Sequence, residues 1–279
     1  MKRPAFDIDP TELLFSGDQM KALGEANHST YVSGDPYPHI AIDNAFSEEL
    51  LSKVAEETVD VKGDDGSFEG KHEALKTQRT AERLPFYSRN FLYAMNSRPF
   101  LQFLERMTGI KGLIPDPYFI GGGLHETKTG GYLNIHADFN HHAALNLERR
   151  LNILVYLNKD WKEEYGGSFE IWDTPMKKRF GQWAPVFNRF VAFSTASDTM
   201  HGNPEPVNHP DGLSRRSLAL YHYTATWDDS RQKNSTTFKG RPGTKDASGL
   251  SDKFDRIFED ILPPVINRQV KKVRYRLLK

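Results

Sequence analysis

The chain has 279 residues, enough for one large domain or for a domain with terminal extensions. Its 37 basic and 37 acidic residues cancel, so the overall charge does not indicate a nucleic-acid partner. The absence of cysteine excludes disulfides, thiolate metal ligands and a cysteine nucleophile, and fits a reducing compartment. The N-terminus lacks an apolar signal core and no long apolar run occurs, so we expect a cytoplasmic protein without a membrane span.

The N-terminal region is polar and mixed in character. Residues 1–35 are predicted to form an arm, with a short helix around residues 11–23. The stretch PYPHIAIDNAF that follows alternates apolar and polar side chains after Pro38, which predicts a strand at the edge of a sheet.

Two helices are predicted before the main run of strands. Ser47 is a suitable N-cap for EELLSKVAEE, whose two leading glutamates favour the positive end of the helix dipole. Ser97 opens a second helix, and Gly109 ends it. The apolar face of this second helix consists of Phe100, Phe103, Leu104 and Met107. Residues 60–80, between the two helices, contain few large apolar side chains and are predicted to form a solvated loop or lid.

From residue 117 the sequence consists of short apolar segments separated by turns. Gly-Gly pairs at 130–131 and 166–167 mark two of these turns. The predicted strands cover residues 118–124, 132–135, 150–157, 168–172, 189–194 and 215–224. Strands at this spacing, preceded by helices, favour a β-sandwich or a barrel-like double sheet over βαβ units. The predicted fold class is therefore mostly β with flanking helices (α+β).

A polar linker and a helical extension are predicted after Trp227. The helix would be broken at Pro263 and Pro264 and has a basic end. Such an end could contact a membrane surface or RNA, but we favour a solvated helix packed on its own domain. The predicted organisation is an arm (1–35), a main domain (36–227) and a C-terminal extension (228–279).

The sequence HAD provides a candidate metal site. His136 and Asp138 follow a predicted strand, where alternation places both on one face, and His201 lies 63 residues beyond Asp138. Two histidines and a carboxylate are the facial ligand set of non-haem Fe(II), which leaves positions open for a co-substrate and O₂. A single HxD pair is common by chance, so the prediction depends on the residues downstream.

A candidate carboxylate clamp lies on the strand over residues 215–224. One face begins with Arg215 and continues with small residues, which suits a linear dicarboxylate held by a guanidinium. Arg216 is the alternative if the register shifts by one residue, and both arginines could also be surface charges. On the strand over 150–157, Tyr156 shares a face with Asn152, and its hydroxyl could complete the clamp or belong to a core aromatic.

The order of these motifs resembles the catalytic core of the 2-oxoglutarate/Fe(II)-dependent dioxygenases, specifically the prolyl 4-hydroxylase-like branch. The segments that carry the resemblance are GGYLNIHADFN, LNILVYLNKDW, GGSFEIW, PVFNRFVAFSTASDTMHGNP and RRSLALYHYT, within about residues 117–224. PYPHIAIDNAF also resembles the N-terminal strand of that family. The resemblance implies a double-stranded β-helix (jelly-roll) core and hydroxylation of an unactivated C–H bond, with release of succinate and CO₂.

The resemblance also assigns residues and cofactors. It implies Fe(II) held by His136, Asp138 and His201, and 2-oxoglutarate held by Arg215 with help from Tyr156. The family position favours Arg215 over Arg216. His125, and Asn152 beside Tyr156, are further candidates for contact with the co-substrate. O₂ is the second co-substrate, and the resemblance allows ascorbate as a further requirement.

The substrate is left open by the sequence. Peptidyl or free proline is favoured by the resemblance alone; another amino acid, a natural product or a sugar moiety are alternatives. The chain lacks an ER-retention tail and has Arg where the collagen-type relatives have Lys, which argues against a collagen hydroxylase. His141 and His142 could bind substrate, although a pair of exposed loop histidines is favoured. A cupin-like binding protein and an interaction module acting through the terminal helix are the non-enzymatic alternatives.

Overall fold

The computed structural model describes residues 4–244 and residue 246. The chain divides into two compact units, residues 1–238 and 239–279, and every element named below belongs to the first. The predicted C-terminal helix lies outside the described residues, and the predicted domain boundaries stay predictions. In the part of the chain that the structure describes, no helix is both long and apolar enough to span a membrane.

The described residues form four α-helices, two short 3-10 helices and thirteen strands. The helices are α1 (Gly17–Val32), α2 (Glu48–Glu57), α3 (Phe86–Met95) and α4 (Arg98–Thr108), and the 3-10 helices are Ala81–Arg83 and Glu163–Tyr165. The strands are β1 (His39–Ile42), β2 (Gly66–Phe68), β3 (Glu73–Arg79), β4 (Ile114–Pro115), β5 (Gly123–Ala137), β6 (His141–His142), β7 (Leu147–Tyr156), β8 (Phe169–Trp172), β9 (Arg179–Trp183), β10 (Phe190–Ser194), β11 (Met200–Asn203), β12 (Arg215–Thr224) and β13 (Thr237–Phe238).

The strands pair antiparallel in the order β1-β10-β7-β12-β5-β11-β8-β9. The 15-residue β5 connects two halves of the sheet, because its first part pairs with β12 and its last part with β11. Between the two parts lie Gly130, whose φ of +88° is readily adopted only by glycine, and Gly131. The predicted fold class, mostly β with flanking helices around a jelly-roll core, is confirmed.

The two faces of the central strands have different partners. On one face, Leu151, Ile153 and Val155 of β7 pack with Leu218 and Leu220 of β12 against the helices. Among the fully buried residues of this main core are the apolar side chains of α4, namely Phe100, Phe103, Leu104 and Met107. The opposite face of the same strands is turned toward a polar cavity. Strand alternation therefore separates a helix-covered core from the site.

The two helices predicted after Ser47 and Ser97 are confirmed, whereas the N-terminal arm differs from the prediction. α2 begins at Glu48, and α4 is followed by the predicted stop, Gly109, which has a left-handed φ of +75°. The helix predicted around residues 11–23 instead spans Gly17–Val32. The preceding residues are held by buried apolar side chains, with Phe6 stacked on Phe46 at 4.8 Å between ring centroids. Isolated apolar anchors in a polar stretch give no periodic signal, so the sequence did not reveal them.

The predicted loop or lid over residues 60–80 is wrong. β2 and β3 form a hairpin there, and β3 pairs with β5 along the edge of the sheet. The strand EALKTQR contains few large apolar residues because its inward face borders the polar cavity rather than a hydrophobic core. Low hydrophobicity was therefore mistaken for a lack of secondary structure.

Five of the six predicted core strands occur in the structure. The prediction over 118–124 is wrong for most of its length, because Phe119 and Gly121 have positive φ in a turn and the strand begins at Gly123. Strand β9 and helix α3 were not predicted. Within the predicted linker, Thr237–Phe238 forms β13 and pairs with β5.

Candidate functional site

The cavity between the two halves of the sheet brings together most of the predicted site residues. It is lined by Lys76, His125, Thr127, Leu133, His136, Asp138, Asn152, Leu154, Phe169, Phe193, His201, Gly202, Asn203, Arg215, Ser217 and Tyr221. A larger groove lies on the outside beside α2, where Val59, Leu213 and Arg216 contribute to its walls. The outer groove has none of the predicted metal ligands in its lining, so the inner cavity is the candidate site.

His136, Asp138 and His201 converge at one end of this cavity. His136 of β5 is directly opposite His201 of β11, and Asp138 follows β5 by one residue. The His136 Nε2 atom lies 3.6 Å from Asp138 Oδ1, and the His201 Nε2 atom lies 3.2 Å from Asp138 Oδ2. One potential ligand atom from each residue falls within 4.8 Å of the others, so the three could hold one metal ion.

Backbone hydrogen bonds orient both histidines for metal binding. His136 Nδ1 is 2.8 Å from the carbonyl oxygen of Asn134, and His201 Nδ1 is 2.9 Å from that of Thr199. A carbonyl can only accept, so each Nδ1 carries the proton and donates it. In neutral imidazoles the two Nε2 lone pairs are then free and directed at Asp138, which is the tautomer that a metal ligand requires. Burial lowers the pKa of His201, although the negative charge of Asp138 acts in the opposite direction. The lowered pKa favours the neutral imidazole.

Asp138 also contacts Arg149 and Asn152. Arg149 approaches Asp138 Oδ2 at 3.1 Å, and the Asn152 amide donates to the same oxygen at 2.7 Å. Arg149 also donates from Nε and a terminal nitrogen to Asn152 Oδ1, at 3.0 and 2.8 Å. Burial alone would raise the pKa of Asp138, but the charge of Arg149 holds it well below its usual range. The carboxylate is therefore ionised and fixed in orientation.

The inward position of Arg149 depends on a bulge in β7. His222 of β12 is opposite Leu151 and Tyr223 is opposite Arg149, so Arg150 has no counterpart. Regular alternation would place Arg149 with Leu151 on the helix-covered face. The extra residue turns it to the cavity face, as bulges beside functional sites commonly do. There its guanidinium lies between two rings, 3.6 Å from the Tyr221 centroid and 4.3 Å from that of Phe139.

The other end of the cavity carries Arg215. The guanidinium is buried, donates from Nε to the carbonyl of Gly167 at 2.8 Å, and lies 3.2 Å from the Tyr156 hydroxyl. Arg216 projects to the opposite face, where it donates to Ala55 O and Thr58 Oγ1, each at 2.8 Å. Of the two candidate arginines, only Arg215 borders the cavity.

Several buried polar atoms in the cavity wall lack a hydrogen-bond partner within the protein. Ser217 Oγ and Asn203 Nδ2 are both of this kind, and their residues are 1% and 5% exposed. Such atoms are costly unless a ligand or water satisfies them. His125 also borders the cavity and contacts the carbonyl of Gly121 at 2.7 Å. Burial and the nearby charge of Lys76 lower the pKa of His125 to about 3, so its imidazole is neutral.

Some features of the site were not anticipated from the sequence. The cavity wall contains Lys76, which belongs to the segment predicted as a loop, and Asn203, which shares a strand with His201. Phe238, in the predicted linker, lies 5.3 Å from the His136 ring and is stacked on His72 at 4.6 Å. Residues two apart in a strand lie on the same face, so Asn203 would share the face of His201. This was the one sequence signal that could have identified Asn203 as a site residue.

His141 and His142 lie outside the cavity lining. His141 contacts Asn146 Oδ1 at 2.8 Å and packs near Trp227. The favoured prediction of two exposed loop histidines is wrong for His142, which is 1% exposed and has its Nε2 atom 3.4 Å from Asp116 Oδ1. The two-residue strand β6 pairs with β7 and turns His142 inward.

Comparisons with known proteins agree with this arrangement. Residues 122–223 match the sequence model of the 2OG-Fe(II) oxygenase superfamily. None of the curated proteins searched matches the chain.

Solved structures provide the comparison of folds. A Pseudomonas putida prolyl 4-hydroxylase is 16% identical, with a TM-score of 0.52 over 72% of this chain and 99% of its own. A Trichoplax adhaerens prolyl hydroxylase, solved with a peptide of hypoxia-inducible factor, is 13% identical, with a TM-score of 0.55 over 77% and 96%. HygX from Streptomyces hygroscopicus, solved with nickel, 2-oxoglutarate and hygromycin B, is 11% identical, with a TM-score of 0.50 over 80% and 93%. At these identities the likeness is one of fold. Together with the sequence match over 122–223, which covers about a third of the chain, it supports a dioxygenase of the 2OG-Fe(II) oxygenase superfamily.

Proposed function

We propose that the chain is an Fe(II)- and 2-oxoglutarate-dependent hydroxylase. His136, Asp138 and His201 would hold Fe(II), and Arg215 with Tyr156 would hold the distal carboxylate of 2-oxoglutarate. The observation that carries the proposal is that one cavity has the three convergent ligands at one end and a buried guanidinium at the other. Neither feature alone would indicate a dicarboxylate co-substrate bound to a metal.

The donor set fits Fe(II). Two imidazoles with free Nε2 atoms and one ionised carboxylate suit an octahedral ion that keeps three positions for other ligands. A purely structural zinc site would use four protein ligands, and the cluster in the described residues has three. The unpartnered Ser217 Oγ and Asn203 Nδ2 add hydrogen-bonding capacity for a polar ligand in the same cavity.

Bound Fe(II) would supply the oxidative chemistry, in which O₂ oxidises 2-oxoglutarate to succinate and CO₂ and hydroxylates a substrate C–H bond. The side chains of this protein bind and orient. Arg149 and Asn152 fix the Asp138 carboxylate, and the two backbone carbonyls fix the imidazole planes. Arg215 sets the position of 2-oxoglutarate from its far end. Phe169 and Phe193 supply apolar rings to the cavity wall.

The substrate proposed first is a prolyl group, in a peptide or as a free amino acid. Support comes from the sequence resemblance and from the fold likeness to two prolyl hydroxylases. A different small molecule is the alternative, because HygX has the same fold and was solved with hygromycin B. A non-enzymatic cupin-like protein would have no use for a buried arginine facing the metal ligands. A requirement for ascorbate and a cytoplasmic location stay predictions.

The test is a turnover assay on anaerobically iron-loaded protein. Proline-containing peptides, free amino acids and a metabolite extract would be exposed to isotopically labelled O₂ with 2-oxoglutarate present. We expect succinate formation and a product that has gained one labelled oxygen atom, and neither with His201→Ala. His141→Ala is the matched control and should keep full activity. Equal succinate production by His201→Ala and the wild type would contradict the proposal.

A further inference from the structure

Lys76 brings a second cation into the cavity from a strand outside the motifs that carry the family resemblance. It lies on β3 directly opposite Thr127 of β5, and Thr127 is directly opposite Arg215 of β12. Directly opposed residues in antiparallel strands project to the same face, about 5 Å from one another. Lys76, Thr127 and Arg215 therefore form one row across three strands, and all three line the cavity.

The row places the two long cationic side chains on either side of one short side chain. The backbones of Lys76 and Arg215 are separated by one strand, which corresponds to about 10 Å. Thr127 lies between them and has a short side chain. The longer side chains of Lys76 and Arg215 can therefore both extend over it. An anion above Thr127 would lie within reach of both cations.

Lys76 is largely buried, and its ammonium has two contacts on the β2–β3 hairpin. Its side chain is 14% exposed, and its ammonium lies 3.4 Å from Glu73 Oε2 and 4.7 Å from the centre of the Phe68 ring. Burial lowers the pKa of Lys76, and the charge of Arg215 lowers it further, while Glu73 and Asp138 oppose this shift. An ammonium has three donors, so the ion pair with Glu73 leaves capacity for a ligand.

The cavity that contains the row also contains two buried polar atoms without a partner in the protein. Asn203 Nδ2 is a buried donor without a partner, and Ser217 Oγ can donate as well as accept. Arg215 and Lys76 bring two positive charges. A carboxylate, which only accepts and can accept from several donors, is the group that matches this composition.

We propose that Lys76 is a second cation for the distal carboxylate of 2-oxoglutarate, which then lies between Arg215 and Lys76 above Thr127. This inference rests on the proposed binding of 2-oxoglutarate in the cavity and adds a residue that the family motifs do not contain. Its consequence is selectivity, because a 2-oxo acid without a distal carboxylate gains nothing from Lys76. β3 would thereby be part of the co-substrate site.

The experiment compares two ligands on full-length protein loaded with Mn(II), which binds the co-substrate without turnover. Affinities for 2-oxoglutarate and for 2-oxopentanoate, which lacks the second carboxylate, are measured by calorimetry. Lys76→Met should weaken 2-oxoglutarate by about tenfold to a hundredfold, the effect of losing a charge-assisted hydrogen bond, and leave 2-oxopentanoate unchanged. Lys128→Met removes an exposed lysine from β5 and should change neither affinity.

The outcomes separate the inference from the function on which it rests. An unchanged affinity of Lys76→Met for 2-oxoglutarate would overturn the inference while leaving the function intact. Equal weakening of both ligands would also overturn it, since Lys76 would then act on the shape of the cavity. Failure of the wild type to bind 2-oxoglutarate at all would overturn both. Lys76→Gln provides a second variant if the methionine variant does not fold, and Lys76→Arg should retain most of the affinity.

Discussion

Strands β7 and β12 are neighbours, and each has two consecutive arginines near its beginning. In β12 the alternation is regular, so Arg215 faces the cavity and Arg216 faces α2. In β7 the bulge at Arg150 turns Arg149 onto the cavity face, where it contacts Asp138. The same dipeptide thus acts differently in the two strands. Regular pairing decides which arginine reaches the proposed co-substrate end, and an irregularity decides which one reaches the proposed metal ligands.

The largest effect is expected from removing Arg149. Arg149→Met should lower the free energy of unfolding of the metal-free protein by about 3–5 kcal/mol, because it leaves the buried Asp138 without its main counter-charge. Urea denaturation followed by circular dichroism measures the loss. Arg150→Met, on the more exposed neighbour, should cost about 1 kcal/mol or less.

A double variant sharpens this prediction. Asp138→Asn in the Arg149→Met background should recover part of the loss, since no buried charge then remains unpaired. If Arg149→Met proved as mild as Arg150→Met, the buried ion pair created by the bulge would not stabilise the fold.

The second prediction concerns Arg216, the arginine of β12 that faces away from the cavity. Arg216→Ala should lower the free energy of unfolding by about 1.5–3 kcal/mol, because a charged donor no longer satisfies Ala55 O and Thr58 Oγ1. Its affinity for 2-oxoglutarate should equal that of the wild type. Thermal or chemical denaturation together with a binding titration checks both statements. A loss of affinity without a loss of stability would show that the two faces of β12 are assigned the wrong way round.

The third prediction concerns how the stability of the protein depends on pH. It follows from a histidine on the helix-covered face of β12. His222 is fully buried there, and burial lowers its pKa from 6.5 to about 3. Below about pH 6.5 the unfolded chain binds a proton that the folded chain excludes, so stability should fall as pH falls toward 3.

Replacing His222 isolates this contribution. His222→Leu should reduce the slope of stability against pH in that window by about 1.4 kcal/mol per pH unit, the value for one proton. His141→Leu is the control, and denaturation at a series of pH values provides the measurement. An unchanged slope in His222→Leu would mean that this imidazole is protonated in the folded protein.

The smallest expected effect concerns the hydroxyl that supports Arg215. Tyr156→Phe should weaken 2-oxoglutarate by about 0.5–1.5 kcal/mol, roughly tenfold at most, because it removes one hydrogen-bonding group and keeps the packed ring. The same change should leave the affinity for Fe(II) unaltered, since the hydroxyl contacts Arg215 and none of the three proposed metal ligands. An effect as large as that of Arg215→Ala would make Tyr156 the principal contact.

The sequence predicted those parts of the molecule that follow regular periodicity. The bounds of β12 were predicted to the residue, and its alternation placed Arg215 on the face that now lines the cavity. The apolar face of α4 and its glycine stop were recovered for the same reason. The HxD pair and the distal histidine were found from residue types and spacing, and the structure brings them together.

The features that could not be predicted from the sequence depend on pairing between strands that are distant in the chain. The bulge at Arg150 exists only relative to β12, so alternation within β7 gives the wrong face for Arg149. Lys76 was overlooked because a strand that faces a polar cavity has no apolar alternation. His142 and Phe238 lie on two-residue strands, which are too short to produce a periodic pattern.

The most direct test of the site is an anaerobic titration of 2-oxoglutarate into Fe(II)-loaded protein, followed by the metal-to-ligand absorption band. The wild type should develop the band, and His136→Ala should not. Arg215→Ala should require about tenfold to a hundredfold more 2-oxoglutarate, the effect of losing a buried charge-assisted contact, whereas Arg216→Ala should behave like the wild type. Absence of the band in the wild type, or a larger loss from Arg216→Ala than from Arg215→Ala, would contradict the assignment of this cavity to Fe(II) and 2-oxoglutarate.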